Sequence, residues 1–276
     1  MTSEGGPRAG RNNAPHQDGL HAVDTSVAHQ ARIYNYLLGG KDNFPADRQA
    51  AEKATDIYPG MAYMARANRE FLGRVVRYLA GDGEIGQFLD IGTGIPAAGS
   101  THEVAADAAP GSRVVYVDYD PVVLAHSRVL LAGRPEGSTD YLEADLRDPA
   151  AILERAARTL DFSQPVAVLL LAILHAIGDE DDPHGIVTTL MDALPAGSYL
   201  AISHLASDVR PEMAEVRDRV NENSFQQYTL RSQDEVSRFF SGLELAAPGL
   251  VQVERWRPAS EPAAATPTWA GVGRKP

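Results

Sequence analysis

Three aspartates stand where apolar runs of this chain end: Asp90, Asp118 and Asp145. An ionised carboxylate only accepts hydrogen bonds, through two oxygens, so it suits the hydroxyls of a ribose or the amino group of a base. Asp90 opens Asp90-Ile91-Gly92-Thr93-Gly94-Ile95-Pro96. Two glycines one residue apart let a backbone turn take positive φ and approach a ligand closely. In open α/β sheets the ligand crevice lies at the carboxyl ends of the strands. Asp118, after the second apolar run, is placed for a ribose diol. Asp145, after the third, is placed for an adenine amino group, with the Leu146 N–H beside a ring nitrogen and Tyr119 against the ring face. Each acid alone equally fits a solvated turn or a helix cap. Three in register on one sheet edge favour a common ligand.

Other residue types with chemistry lie further out. His175 follows the apolar run Val166–Leu171 and has the pKa range of a general base; helix packing or capping is the alternative. His204 is a weaker candidate for the same reason, and His102 is expected at the surface or in a helix cap. Lys41-Asp42-Asn43 follows a glycine pair, where a loop can close over a ligand as lids do. Arg66, Asn68 and Arg69 share a helix face; Arg69 suits a carboxylate by bidentate bonding, or an ordinary salt bridge. Tyr36 belongs to the same N-terminal stretch and is either a substrate contact or part of the local core. Asp179-Glu180-Asp181-Asp182 could suggest a cation, but consecutive acids point apart, so a solvated loop and no metal site are expected.

The elements that must position these groups follow from periodicity. Residues 1–24 are polar, rich in Gly and Pro and aperiodic, so a disordered tail is expected. Residues 25–80 read as a helical cap. Val27, Ala31, Tyr34 and Leu38 are spaced for a helix stopped by Gly39-Gly40, and further helices are expected over Pro45–Ile57 and Met61–Leu79. From 81 to 276 strands and helices alternate. Strands are expected at Phe88–Ile91, Arg113–Val117, Asp140–Glu143, Val166–Leu171, Ser198–Ser203, Leu250–Trp256 and Trp269–Val272. Helices are expected over Pro121–Ala132, Ala150–Leu160, His184–Ala193 and Pro211–Phe225. Ser100-Thr101-His102-Glu103 and Ser232-Gln233-Asp234-Glu235 have the capping-box pattern that opens a helix. The expectation is an α/β fold with a mostly parallel, seven-stranded, Rossmann-like sheet.

Composition narrows the function. The chain has 276 residues, 44% of them hydrophobic, which allows a substantial core. Its formal net charge is −12, which disfavours nucleic acid and anionic membrane as partners. With no cysteine, thiolate nucleophiles, thiolate zinc sites and disulfides are excluded. No apolar segment approaches a membrane span, and a secretory signal core after Met1 is missing, so a cytoplasmic protein is expected.

Leu89-Asp90-Ile91-Gly92-Thr93-Gly94, Val115-Tyr116-Val117-Asp118-Tyr119-Asp120-Pro121 and Glu143-Ala144-Asp145-Leu146 resemble the first three motifs of class I S-adenosylmethionine-dependent methyltransferases. More narrowly, Ala31-Arg32-Ile33-Tyr34-Asn35-Tyr36-Leu37-Leu38-Gly39-Gly40-Lys41-Asp42-Asn43-Phe44 and the closing Trp269-Ala270-Gly271-Val272-Gly273-Arg274-Lys275 resemble an actinobacterial methyltransferase-like family long described only as a domain of unknown function. The resemblance implies that Asp90, Gly92, Thr93 and Gly94 cradle the methionine end of S-adenosylmethionine. Asp118 would hold the ribose, Asp145 and Leu146 would read the adenine, and Leu171 and Ala172 would face the methionine moiety. It implies methyl transfer to an acceptor, for which a small molecule is expected. Pro96 departs from the common pattern, which has a third glycine there. Proline donates no N–H, and a pyrophosphate depends on such amides at a helix N-terminus. The substitution therefore favours S-adenosylmethionine over a nicotinamide dinucleotide. A non-catalytic S-adenosylmethionine-binding protein and, more remotely, a nicotinamide oxidoreductase are the alternative readings.

Overall fold

The computed structural model describes residues 24–131, 138–222 and 227–276. Apart from Asp24, the expected tail lies outside them, as do Ala132 and Phe225, the expected ends of two helices. Among the described residues three helices come first: α1 (Gln30–Leu37), α2 (Pro45–Ile57) and α3 (Met61–Ala80). Alternation then begins with β1 (Gln87–Ile91), α4 (Thr101–Ala108), β2 (Arg113–Asp118), α5 (Pro121–Leu131), β3 (Thr139–Glu143) and α6 (Pro149–Ala156). It continues with β4 (Ala167–Leu171), α7 (Pro183–Asp192), β5 (Tyr199–Leu205), α8 (Met213–Asn221) and α9 (Gln233–Ser237). Three strands close the chain: β6 (Glu244–Leu245), β7 (Val251–Gln252) and β8 (Thr268–Arg274).

Among the described residues the sheet has eight strands in the order β3-β2-β1-β4-β5-β8-β6, with β7 also paired to β8. The first five in this order are mutually parallel, and β8 runs antiparallel to β5. Alternate strand residues enter opposite cores, as a pleat of period two requires. Leu89, Val115, Val168 and Leu200 pack with α6 and α7. Phe88, Val114, Leu169 and Ala201 pack with Phe71, Val75 and Leu79 of α3 and with Val104 of α4. Full burial of a side chain such as Phe71 or Leu79 contributes roughly 1.5–3 kcal/mol. Thus α3 is a layer helix of the sheet, whereas α1 lies against the loops that follow β1 and β4, with Ala31 packed on Ile95 and Gln30 bonded to Ala172.

The C-terminal region differs from expectation. The single strand expected at Leu250–Trp256 is only the two-residue β7 followed by a 3₁₀ turn over Val253–Arg255, and the added short strand β6 brings the count to eight. Arg74 of α3 takes the carbonyls of Val253 and Trp256, each at 2.8 Å, so those carbonyls face a helix instead of a neighbouring strand. Trp256 turns inward, fully buried, with its ring edge-on to Phe71. The last strand is longer than expected, because β8 pairs along the whole of β5 from Tyr199 to Leu205. Both capping boxes form, at Ser100 and Ser232. Among the described residues no helix is long and apolar enough to cross a membrane.

Candidate active site

The parallel strands β1, β2, β3 and β4 end along one edge, and there the chain opens a cleft of about 910 Å³ including its mouth. Asp90, Gly92, Thr93, Gly94, Asp118, Tyr119, Asp145, Leu146, Leu171, Ala172 and Arg69 all line it. Its far wall is α1, through His29, Gln30, Ala31 and Tyr34.

The glycine turn is held from two sides. Gly92 donates its N–H to the Val117 carbonyl at 2.8 Å. Its φ is +77°, and an added Cβ would overlap the Ile173 side chain at 2.6–2.8 Å. Only glycine combines that conformation with that approach. Gly94 donates to Asp118 Oδ2 at 2.9 Å. Asp118 Oδ1 accepts from the N–H groups of Tyr119 and Asp120 at 2.8 and 3.0 Å. Asp118 thus ties the turn after β1 to the end of β2, with lone pairs left over in the cleft. Burial raises its pKa, and the amide bonds only partly offset that.

Asp90 accepts from Thr101 Oγ1 at 2.6 Å. Burial pushes its carboxyl up to about 6, against the lowering by the Thr101 bond and the Arg69 charge. Arg69 is anchored to the carbonyls of Ala97 and Ala98 at 2.9 and 3.2 Å, while its buried Nε–H has no partner among the described residues. Across the cleft Asp145 is bridged by Arg147 at 3.1 Å, and Arg147 also reaches Asp181 at 2.7 Å.

At the end of β4, Ala172 is held at φ +54°, a conformation that costs a non-glycine residue about 1–2 kcal/mol. Hydrogen bonds impose it: the Ala172 N–H meets the Ser203 carbonyl and hydroxyl at 3.0 and 2.9 Å. The Ser203 hydroxyl donates to Asn68 Oδ1 at 2.6 Å, and the Asn68 amide donates to the Tyr34 hydroxyl at 3.1 Å. The Ala172 carbonyl accepts from the Gln30 amide at 2.5 Å.

That last bond fixes a tautomer. A carbonyl only accepts, so Gln30 presents its NH₂ group there, and the same nitrogen lies 3.1 Å from His175 Nε2. Nε2 therefore accepts, and the His175 proton sits on Nδ1. His175 is buried, and desolvation with the neighbouring His204 and Arg231 holds its pKa well below the ordinary value, so the ring is neutral. In this arrangement Nδ1–H is a donor with no partner among the described residues, and the ring has no free lone pair for a proton. His204 is also neutral, pushed down to about 3 by burial. Its Nε2 accepts from Arg231 at 2.9 Å and its Nδ1 donates to the Leu205 carbonyl at 2.8 Å, which excludes it as a base. His102 is buried against the Tyr116 hydroxyl, not at the surface.

Three N-terminal candidates stand away from the cleft. The Tyr36 hydroxyl meets Glu52 at 3.0 Å on an exposed face. Asn43 staples its own loop through Asn35, Gly40 and Arg48. Lys41 is exposed and lines neither this cleft nor the cavity beside it. Packing distances within the loop decided this, and sequence spacing carries no signal for it. The acids after β4 are engaged by arginines: Asp179 by Arg231 at 2.6 Å and Asp181 by Arg147.

Sequence reasoning missed His29, Gln30, Arg147 and Ile173. His29 and Gln30 directly precede the Ala31–Phe44 run, and that adjacency was the available signal. His29 Nδ1 lies 2.7 Å from Asp120 Oδ2 and 3.4 Å from the Ala31 N–H, and Nε2 is buried with no partner among the described residues, in a residue that lines the cleft. Arg32, also buried, lies 3.6 Å from both Asp47 and Asp120.

The fit to a nucleoside ligand can be judged on these groups. Asp90, Asp118 and Asp145 line one cleft with a histidine nitrogen and a guanidinium N–H that have no partner among the described residues. The amides of Gly99 and Ser100 before α4 are already taken by the Glu103 carboxylate at 2.7 and 3.2 Å. A pyrophosphate there would meet a carboxylate instead of free amides. The cleft thus suits a cationic, phosphate-free nucleoside.

A doubly wound sheet ending in an antiparallel strand, with acids at the ends of β1, β2 and β3, defines a class I methyltransferase. The chain belongs to the S-adenosyl methyltransferase family, whose model matches residues 16–276; it is an S-adenosylmethionine-dependent methyltransferase. Two solved structures are similar over nearly the whole chain. One is a DUF574-family protein from Streptomyces avermitilis, with 45% identity over 92% of this chain and 100% of that one, at a TM-score of 0.89. The other, from Thermobifida fusca, is described provisionally as a methyltransferase, with 42% identity over 91% of this chain and 96% of that one, at a TM-score of 0.86. A mitomycin 7-O-methyltransferase shares the fold at 19% identity, with 78% of this chain and 56% of that one covered and a TM-score of 0.51. No curated protein matches the chain.

Proposed function

We propose that this enzyme methylates a small-molecule acceptor and holds its methyl donor along the edge formed by β1, β2, β3 and β4. The observation that carries the reading is Asp118. It clamps the glycine turn through Gly94 and lines the cleft at the end of β2, the position from which a carboxylate takes a ribose diol. His29 Nε2 completes the ribose site from α1. Asp145 and the Leu146 N–H take the adenine edge, and Tyr119 its face. At the other end Asp90 attracts the α-ammonium group, and the free Nε–H of Arg69 the carboxylate. Gly92, Thr93, Leu171 and Ala172 bound the space between.

When bound, S-adenosylmethionine would supply an electrophilic methyl group carried on a sulfonium. The protein's task is to hold the acceptor in line and exclude water. Gln30 and Ala172, joined to each other, stand where the cleft meets the space beyond it. His175, hydrogen-bonded to Gln30, orients the acceptor by donation from Nδ1. A role as base requires Gln30 first to release Nε2. The net charge of −12 supports a small molecule over nucleic acid as acceptor.

Calorimetry with S-adenosylhomocysteine and with NAD tests the reading. Binding of the former, and at least ~tenfold weaker binding of NAD, is expected. Absence of S-adenosylhomocysteine binding at millimolar ligand would overturn it.

A further inference from the structure

A second cavity of about 740 Å³, including its mouth, opens directly beyond the first. Gln30, Tyr34, Asn68 and Ala172 line both, so the two spaces share one wall. The walls of the second come from α1, α3 and α8. They are chiefly aliphatic, with three thioethers, Met61, Met64 and Met213, around them. Thioether side chains are flexible and polarisable and adapt to varied apolar shapes.

The polar atoms of this cavity are few. His175 Nδ1, Gln30 Oε1 and Thr268 Oγ1 are buried and without partners among the described residues, and all three residues line it. By the tautomer derived above, they offer a donor, an acceptor and a hydroxyl that serves as either. Buried polar groups in a folded protein normally have partners, and three unpaired around one apolar space mark a place where a ligand supplies them. Among the described residues Arg217 is the one charged side chain in the lining, and Asp218 pairs with it through bonds of 2.8 and 2.6 Å. A charged ligand would lose its hydration without gaining a counter-ion.

We infer that this second cavity is the acceptor site and that it takes an uncharged, mainly apolar small molecule with hydrogen-bonding groups at one end, next to Gln30 and His175. The inference rests on the cofactor assignment for the direction from which the methyl arrives. The apolar body lies among the methionines. The polar end, which carries the atom to be methylated, lies at the shared wall. Gln30 is a positioning residue for both sides, since its amide holds the Ala172 carbonyl and the His175 ring.

The chain has five methionines, and Met191 lies in the other core, with α7. Protein labelled with ¹³C at the methionine methyls and saturated with S-adenosylhomocysteine is titrated with 2-naphthol, 2-naphthoate and 2-naphthylmethylammonium. The neutral probe is expected to shift the Met61, Met64 and Met213 signals and leave Met191 in place, and the charged probes to bind at least ~tenfold more weakly. Val216→Phe, which fills this cavity alone, is expected to abolish the naphthol shifts and retain S-adenosylhomocysteine binding. No methionine shift with millimolar 2-naphthol, equal binding of the naphthoate, or unchanged shifts in a Val216→Phe protein that still binds S-adenosylhomocysteine would overturn the inference. If the wild-type protein does not bind S-adenosylhomocysteine, the cofactor assignment fails instead, and the naphthol shifts in the cofactor-free protein decide the cavity separately.

Discussion

His29 and Asp120 meet at 2.7 Å across the seam between α1 and the turn after β2. One partner precedes the first helix and the other follows the second strand, so their pairing joins the N-terminal segment to the sheet at the edge of the cofactor cleft. Asp120 is held below the usual carboxylate range; burial opposes this, but its bond to His29, that charge and Arg32 together outweigh it.

His29→Ala removes the unpartnered Nε2 from the cleft and is expected to weaken S-adenosylhomocysteine binding by roughly fivefold to tenfold, the size of one hydrogen bond of about 1 kcal/mol or slightly more. Asp120→Asn leaves the ring in place but loosens its orientation, so a smaller loss is expected. A double-mutant cycle by calorimetry checks the coupling; fully additive losses would mean that Asp120 does not act through His29.

Asp118→Ala is expected to weaken S-adenosylhomocysteine binding by at least ~tenfold, because a charge-assisted bond to a ribose hydroxyl contributes about 1.5–3 kcal/mol. The same change leaves the Gly94, Tyr119 and Asp120 amides without their acceptor, so a lower denaturation midpoint accompanies it. Unchanged affinity in a folded variant would refute the ribose role.

Asp90 predicts the pH dependence of binding. Its folded pKa is raised to about 6, so the carboxylate that attracts an ammonium group is present above that value and lost as pH falls through it. Affinity for S-adenosylhomocysteine is expected to fall below pH 6, approaching ~tenfold per unit once the group is mostly protonated. In Asp90→Asn that acid limb is expected to disappear. Calorimetry from pH 5 to 8 distinguishes the two proteins.

Arg231 is buried and donates to the carbonyls of Leu174 and Ile177, to His204 and to Asp179, bracketing the loop that carries His175. Arg231→Met strips those acceptors of their donor and is expected to destabilise the protein by about 2–4 kcal/mol, because the buried Leu174 and Ile177 carbonyls and the His204 nitrogen lose their hydrogen bonds, whereas the Asp179 partner is exposed. Chemical denaturation reads this directly. A loss under 1 kcal/mol would show that the loop is held by other contacts.

Local chemistry made much of the frame legible. The glycine turn, the acids at the ends of β1 and β2 and after β3, the capping boxes at Ser100 and Ser232 and the apolar run of β4 each act within a few residues of chain, where spacing and side-chain type suffice. The strand expected at Leu250–Trp256 failed because Arg74, nearly two hundred residues earlier, captures its carbonyls. Tyr36, Lys41 and Asn43, read as substrate or lid residues, lie outside the lining of the cleft, with Tyr36 bonded to Glu52 and Asn43 to its own loop.

The order of apolar runs and turn residues in this sequence determined a doubly wound sheet and the edge on which its acids converge, because parallel strands joined by helices leave their carboxyl ends on one side. Tertiary structure decided the rest. Which wall α1 would form, the unpaired state of His29 Nε2, the tautomer of His175 and the apolar cavity behind Ala172 all depend on contacts between groups far apart in the chain, and such contacts exist only once the cores on both faces of the sheet have packed.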